Sequence, residues 1–440
     1  MDIAGTCRDR LAGRNAKPLA RVRGDDYSEI MPRVLLLLPT TTYRAKAFID
    51  AARRIGVDVV AASERPSTLE GKNPAGLLTL DFGDPEVAAR QASRFAEQFT
   101  VDAVIPVDED TAVAAASVAQ AIGLKHNSID SVRAAKNKHR MREVLRSARV
   151  RVPEYWHFTL DDDAAEVAAQ VTYPCVVKPV FLSTSRGVMR ADDEAEFVTA
   201  VERLGRILAQ KETAKRGGPA AREVLAEEFI PGREVAVEGL LTDGNLRVLA
   251  IFDKPDPLDG PFFEETIYVT PSRLRRQVQR DIRETTSAAT RAMGLERGPI
   301  HAELRVNDEG VWVIEVAARA IGGLCSRALK FGDGESLEEL ILRHALGHDV
   351  ASIEREEEAA GVMMIPIPRA GILREVRGLE SAKGLAGVED VMITAHIRQQ
   401  VAARPEGASY LGFIFSRARS AEEVEAALRE AHSRLEFLIE

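Results

Sequence analysis

Two glutamates carry the most chemistry in this chain. Glu303 lies in Pro299-Ile-His-Ala-Glu-Leu-Arg305 and Glu315 in Val311-Trp-Val-Ile-Glu-Val-Ala-Ala-Arg319. The stretch between them, Val306-Asn-Asp-Glu-Gly310, is a turn signal, so the two runs read as a β-hairpin whose strands face each other. The bland alternative, a pair of exposed hairpin charges, is weakened by the apolar neighbours, among which an unpaired carboxylate is costly to bury. Opposed carboxylates of this kind hold Mg²⁺ through one or two oxygens each and leave its other positions to water and phosphate. Arg319, just beyond Glu315, adds a planar fork of donors suited to a phosphate or carboxylate oxygen.

A second group lies upstream. Tyr173-Pro-Cys-Val-Val-Lys-Pro179 reads as a short buried strand that delivers Lys178 to the polar run Leu182-Ser-Thr-Ser-Arg-Gly-Val188. An ammonium beside a hydroxyl-and-glycine loop is a phosphate grip, with Ser183, Ser185 and Gly187 as contact candidates. Neither Gly-x-x-x-x-Gly-Lys-Ser/Thr nor Gly-x-Gly-x-x-Gly after a strand is present, which argues against the P-loop and the usual dinucleotide site. Next, Val224-Leu-Ala-Glu-Glu-Phe-Ile-Pro-Gly-Arg-Glu-Val-Ala-Val-Glu238 reads as strand, Pro-Gly turn and strand. Its turn can present backbone groups and Glu227 to an adenine edge.

In this order the pieces resemble the ATP-grasp superfamily. The resemblance makes Lys178 the phosphate lysine and Glu227, Glu228, Phe229 and Ile230 the adenine hinge. It gives Glu234 the ribose hydroxyls and Lys138, in Ala134-Ala-Lys-Asn-Lys-His-Arg-Met-Arg142, the earlier nucleotide lysine. Asp253-Lys-Pro255, Pro261 to Ser272, Glu315 to Arg327 and Pro405 to Phe415 narrow it to the L-amino-acid ligases and related carboxylate–amine ligases. What this implies is ATP with Mg²⁺ or Mn²⁺ as cofactors and small-molecule carboxylate and amine substrates. Glu303 and Glu315 then hold the metal, with Arg319 steadying the activated acid. Glu265, Tyr268, Gly322 and Gly323 stand near the substrates, and relatives often form homodimers. The chain departs from the pattern at Ala317, where many relatives carry a metal-binding Asn, at Thr184, where glycine is expected, and at Ile267-Tyr268, where Gly-His is common. The amino-acid ligases share the Ala.

The remaining elements must position these groups. A length of 440 residues suggests about three domains. The reading is α/β and α+β: a disordered extension over 1–30, a Rossmann-like parallel sheet over 31–125 and a central two-subdomain ATP-grasp fold over 126–350. The lid of that fold spans about 150–232, and an α+β domain follows over 351–440. Met31-Pro-Arg-Val-Leu-Leu-Leu-Leu38 looks like a natural beginning, with translation starting at Met31. Strands at Val34 to Leu38, Val57 to Ala61 and Ala103 to Val107 alternate with helices at Ala45 to Ile55 and Pro85 to Gln98, the pattern of a parallel sheet covered on both faces. Thr40 to Tyr43 and Asp108 to Asp110 end strands at the carboxyl edge, where such sheets place ligands. Helix capping explains the first at least as well as substrate contact does, and solvated loop charge is the leading reading of the second, ahead of contact with a substrate amine. A single helix over Ser131 to Ser147 is expected to carry Lys138, with Arg133, Arg140 and Arg146 as a wet face. A mobile loop is expected at Lys215 to Pro219 and an exposed linker at Glu354 to Glu358. Near the end, strands Val362 to Ile367 and Tyr410 to Phe415 precede a helix opened by a Ser420–Glu423 capping box.

Composition fixes the broad class. The chain is 45% hydrophobic and 29% charged, as globular proteins are. A net charge of −9 speaks against general nucleic-acid binding. No apolar run reaches the length of a membrane span. Cys7, Cys175 and Cys325 are odd in number and lack metal spacing, which suits a reduced cytoplasmic setting. His344 and His348 can share a helix face, but no third ligand accompanies them.

Two further readings share these residues. One is an ATP-grasp ligase or carboxylase acting on a non-amino-acid carboxylate or on bicarbonate. The other is a non-catalytic nucleotide-binding regulatory protein.

Overall fold

A computed structural model describes residues 31–440. The expected extension over 1–30, and with it the evidence for a start at Met31, lies outside the described residues. No helix among the described residues is long and apolar enough to cross a membrane.

The first layer is a four-stranded parallel sheet. Its strands are Arg33–Leu37, Asp58–Ser63, Leu77–Thr79 and Ala103–Pro106, in the order third, second, first, fourth. Strand Leu77–Thr79 has no counterpart in the sequence reading, since three residues carry no periodicity. Helix Pro85–Ala96 starts where expected because Asp84 accepts from the Glu86 and Val87 amides and Pro85 occupies the first turn.

The helix expected over Ser131 to Ser147 is two helices, Ile129–Lys136 and Lys138–Ser147. Asn137 separates them. Its backbone is extended and its side chain accepts from the Arg140 amide at 3.0 Å, so it caps the second helix instead of continuing the first. Lys138 therefore opens a helix, and its amide donates to Val180 O at 2.9 Å.

A small antiparallel sheet follows, in the order Tyr155–Thr159, Glu223–Glu228, Cys175–Pro179, Met189–Ala191. Helix Glu194–Leu208 covers it, burying Phe197, Val201, Leu204 and Leu208 on one side. The segment expected as a loop at Lys215 to Pro219 is the end of helix Lys211–Gly217 and a 3₁₀ turn, Gly218–Arg222.

The third layer joins parts that the sequence reading kept apart. Eight strands run Gly310–Ala317, Gly298–Asn307, Arg233–Thr242, Asn245–Asp253, Ile267–Thr270, Ala359–Ile365, Gly412–Ala418, Val388–Ile393, and every pairing is antiparallel. The C-terminal strands thus extend the sheet that carries Glu303. Helix Ala421–Ser433 packs Val424, Leu428 and Ala431 onto them. Of the expected capping box, Ser420 does accept from the Glu423 amide at 3.2 Å, whereas the Glu423 carboxylate takes the Arg419 amide.

Candidate functional site

The hairpin forms as expected. Strands Gly298–Asn307 and Gly310–Ala317 pair with Glu303 directly opposite Glu315, next to a slip in register between Glu303 and Leu304. Alternation does the rest. His301, Glu303 and Arg305 line one cleft together with Glu315, while Ala302 and Leu304 enter the core. The Glu303 and Glu315 side chains keep 21% and 23% of their surface exposed, enough to reach a ligand in the cleft.

Cations surround both carboxylates. Lys254 Nζ lies 3.5 Å from Glu303 and His301 Nε2 is also at 3.5 Å; Lys138 Nζ lies 3.4 Å from Glu315. Burial disfavours charge on Glu303, but Lys254 and His301 outweigh it and lower its pKa even against Glu315. Burial of Glu315 is likewise overcome by Lys138, Arg319 and Lys178. The cleft therefore holds two ionised carboxylates side by side, a hard oxygen donor set that fits Mg²⁺.

Lys254 is a hub that sequence reasoning quoted in a motif without assigning it to the site. Its ammonium pairs with Glu234 at 2.8 Å, with Glu265 and with Glu303. Burial opposes its charge, yet the three glutamates hold its pKa well above the usual lysine value. Glu265, expected beside a substrate ammonium, thus already faces a lysine, and it also accepts from Tyr268 Oη at 2.8 Å. Glu234, expected at the ribose, also accepts from Arg305 Nε at 2.9 Å and lines the cleft beneath the hinge.

Glu227 lines the cleft, and its buried carboxylate is paired with Arg142, whose Nε lies 2.8 Å away, and with Lys178. Arg142, fully buried, is a residue the sequence reading missed; its position between Met141 and Leu145 on the packed helix face was the available signal. The Glu228 and Phe229 amides are also engaged, donating to Glu154 O at 2.9 Å and Pro174 O at 3.0 Å. Phe229 and Ile230 line the cleft with Val176 and Leu258, which gives it an apolar wall. Lys178 sits in the cleft as expected. Burial, with Arg142 and Lys138 nearby, outweighs Glu227 and pushes its pKa down to about 8.

The polar loop after Lys178 closes over the same space. Lys138 Nζ donates to Leu182 O at 2.7 Å, and Ser183, Thr184 and Ser185 line the cleft. Thr184 and Ser185 both have left-handed φ, +57° and +54°. The resemblance calls for glycine at 184, and the backbone keeps glycine's conformation at a cost of about 1–2 kcal/mol per residue. Gly187 does not line the cleft: its amide donates to Pro405 O at 2.9 Å.

Arg319 faces the cleft and pairs with Glu109 Oε2 at 2.8 Å. Glu109 comes from the edge of the parallel sheet, where a solvated charge was one of two readings. Tyr43 from the same edge, with Gly322, Gly323, Tyr268 and Tyr410, lines the neighbouring wall. Cys325 is buried there, and burial raises its thiol pKa far above the usual range, which removes it as a nucleophile. His344 instead hydrogen-bonds Thr242 Oγ1 at 2.9 Å.

Comparison with known proteins agrees with this arrangement. Residues 171–328 match the ATP-grasp domain and residues 363–440 the L-amino acid ligase C-terminal domain 2. The crystal structure of an L-amino acid ligase from Bacillus licheniformis superposes with a TM-score of 0.79 and 26% identity, covering 93% of this chain and 99% of that one. An uncharacterized protein of Sinorhizobium fredii is 22% identical over 93% of this chain and 84% of its own length. An alanine–anticapsin ligase of Bacillus subtilis is 27% identical over 58% of this chain, and that match spans 56% of the relative. An opposed carboxylate pair, two lysines and an arginine stand on this scaffold, in a chain that carries an ATP-grasp domain and an L-amino acid ligase C-terminal domain: it is an ATP-grasp carboxylate–amine ligase.

Proposed function

We propose that this ligase condenses an amino-acid carboxylate with the amine of a second amino acid, through an acyl phosphate, releasing ADP and phosphate. The observation that carries this reading is the convergence of Glu303, Glu315, Lys138, Lys178 and Arg319 on one cleft. A carboxylate oxygen attacks the γ-phosphorus and ADP leaves; the amine nitrogen then attacks the acyl carbon, phosphate leaves and a proton is lost. The first transfer needs charge neutralisation more than covalent help.

Glu303 and Glu315 would hold Mg²⁺. Bound there, it would neutralise charge on the phosphates. Lys138 and Lys178 meet the phosphate oxygens from the other side. Ser183, Thr184 and Ser185 cover them and exclude water. Phe229 and Ile230 pack against the base, and Glu234 faces the ribose. Arg319, fixed by Glu109, orients the substrate carboxylate and stabilises negative charge at the acyl carbon. Residues 31–125, 126–350 and 351–440 are read as three functional regions, with the small sheet within about 150–232 as the lid. Two buried free cysteines, Cys175 and Cys325, support a reduced cytoplasmic setting.

The experiment is an ADP-release screen over amino-acid pairs with mass detection of the product. A condensed dipeptide accompanying ADP supports the reading. ADP release driven by bicarbonate or by a non-amino acid, with every amino-acid pair silent, overturns the substrate class.

A further inference from the structure

Outside the nucleotide cleft, four side chains from three elements converge. His139 and Glu143 lie one helical turn apart on Lys138–Ser147, the spacing that puts two groups on one helix face. His157 lies on Tyr155–Thr159, the outer strand of the small sheet, and Glu223 opens the neighbouring strand. The imidazoles of His139 and His157 stack with centroids 3.8 Å apart and planes 4° from parallel. His157 Nε2 is 3.2 Å from Glu223 Oε2, and His139 Nε2 is 4.0 Å from Glu143 Oε1. Ligand atoms of His139, His157 and Glu223 all lie within 4.8 Å of one another.

We propose that His139, His157 and Glu223, with Glu143 beside them, form a second divalent-cation site, suited to zinc rather than magnesium. Imidazole selects the borderline metals, and two histidines with carboxylates make a common four-coordinate zinc set. Tetrahedral zinc holds its ligand atoms about 3.3 Å apart. Capture therefore draws the side chains together and turns the two rings out of their face-to-face stack, so that the nitrogen lone pairs meet. All four side chains are at least partly exposed.

The site's position gives it a consequence. It fastens the outer strand of the small sheet to the helix whose first residue is Lys138. Zinc bound there restrains that sheet relative to the lysine.

The test is calorimetric titration of metal-free protein with Zn²⁺ in saturating Mg²⁺, which keeps the oxygen-donor site filled. One zinc per chain with micromolar or tighter affinity is expected, weakened at least tenfold in His157→Gln and in Glu223→Gln. Co²⁺ bound in its place should give the visible absorption of a tetrahedral site. Glu303→Gln should leave zinc uptake unchanged, which separates this site from the cleft. Undiminished zinc binding in His157→Gln and Glu223→Gln, or uptake abolished by Glu303→Gln alone, overturns the proposal. So does a protein that takes up no zinc.

Discussion

Arg319 Nε lies 2.8 Å from Glu109 Oε2, and each side chain is only 12% exposed. Arg319 comes from just beyond the Glu303–Glu315 hairpin and Glu109 from the edge of the parallel sheet, so the first region of the chain sets the angle of the guanidinium in the cleft. Glu109 and Glu315 both favour its charge against burial. Arg319→Ala should lower kcat by about 10²–10³-fold, the usual loss of one preorganised donor. Glu109→Gln should lower it less and raise KM for the substrate carboxylate, because the guanidinium stays but loses its orientation. Steady-state kinetics on the best amino-acid pair separates the two.

Glu303→Gln and Glu315→Gln remove one oxygen donor each while keeping shape. If each carboxylate holds the metal, the loss is several kcal/mol of charge stabilisation, or about 10³-fold in turnover. Half-saturating Mg²⁺ in the ADP-release assay should rise in both variants. Turnover that keeps its rate and its Mg²⁺ dependence in either one would refute the assignment.

Lys178 gives a pH dependence. Burial, with Arg142 and Lys138 against Glu227, brings its pKa down to about 8, so the ammonium is complete below that pH and is lost as pH rises through it. Nucleotide phosphates favour the ammonium. ATP affinity should therefore weaken as pH climbs from 8 to 9, by at most about tenfold per unit, with proton uptake on binding at the upper end. Lys178→Arg should flatten the profile. Calorimetry in buffers of different ionisation enthalpy reads both.

The Lys178–Glu227–Arg142 chain is buried throughout. Arg142→Leu leaves Glu227 with one cation in place of two, and removing one partner of a buried ion pair destabilises by about 3–5 kcal/mol. Urea unfolding should show that loss. Glu227→Gln together with Arg142→Leu should recover part of it.

Gly232 shapes the turn below the apolar wall of the cleft. Its φ is +123°, and a Cβ there would collide with the Val306 carbonyl oxygen. Gly232→Ala should destabilise by about 2 kcal/mol or more, since backbone strain of about 1–3 kcal/mol adds to a displaced hairpin end. Thermal melts with and without ATP should both fall.

Legibility in the sequence followed the range of the interactions. Glu303, Glu315 and the hairpin between them were readable because a turn signal and period-two alternation are local. The parallel sheet was readable for the same reason. The partners of Glu227 and Glu265 were not: Arg142 and Lys254 reach them from other elements, and nothing near a carboxylate in sequence says which cation will meet it. The break at Asn137 was missed because an amide inside an otherwise helical pattern caps only once the chain has turned. Gly187 was assigned to phosphate by its neighbours, while its amide belongs to Pro405, more than two hundred residues further on. The metal-site histidines His139 and His157 come from a helix and a strand whose packing the sequence does not announce.

The sheet that carries the hairpin has a practical implication for building chimaeras. Ile267–Thr270 bonds directly to Ala359–Ile365, and that strand to Gly412–Ala418, so the segment 351–440 is no detachable cassette. Trading it between relatives means grafting a seam through a hydrogen-bonded ladder. A shortened protein ending near residue 351 would bare the full edge of Ile267–Thr270 and invite self-association.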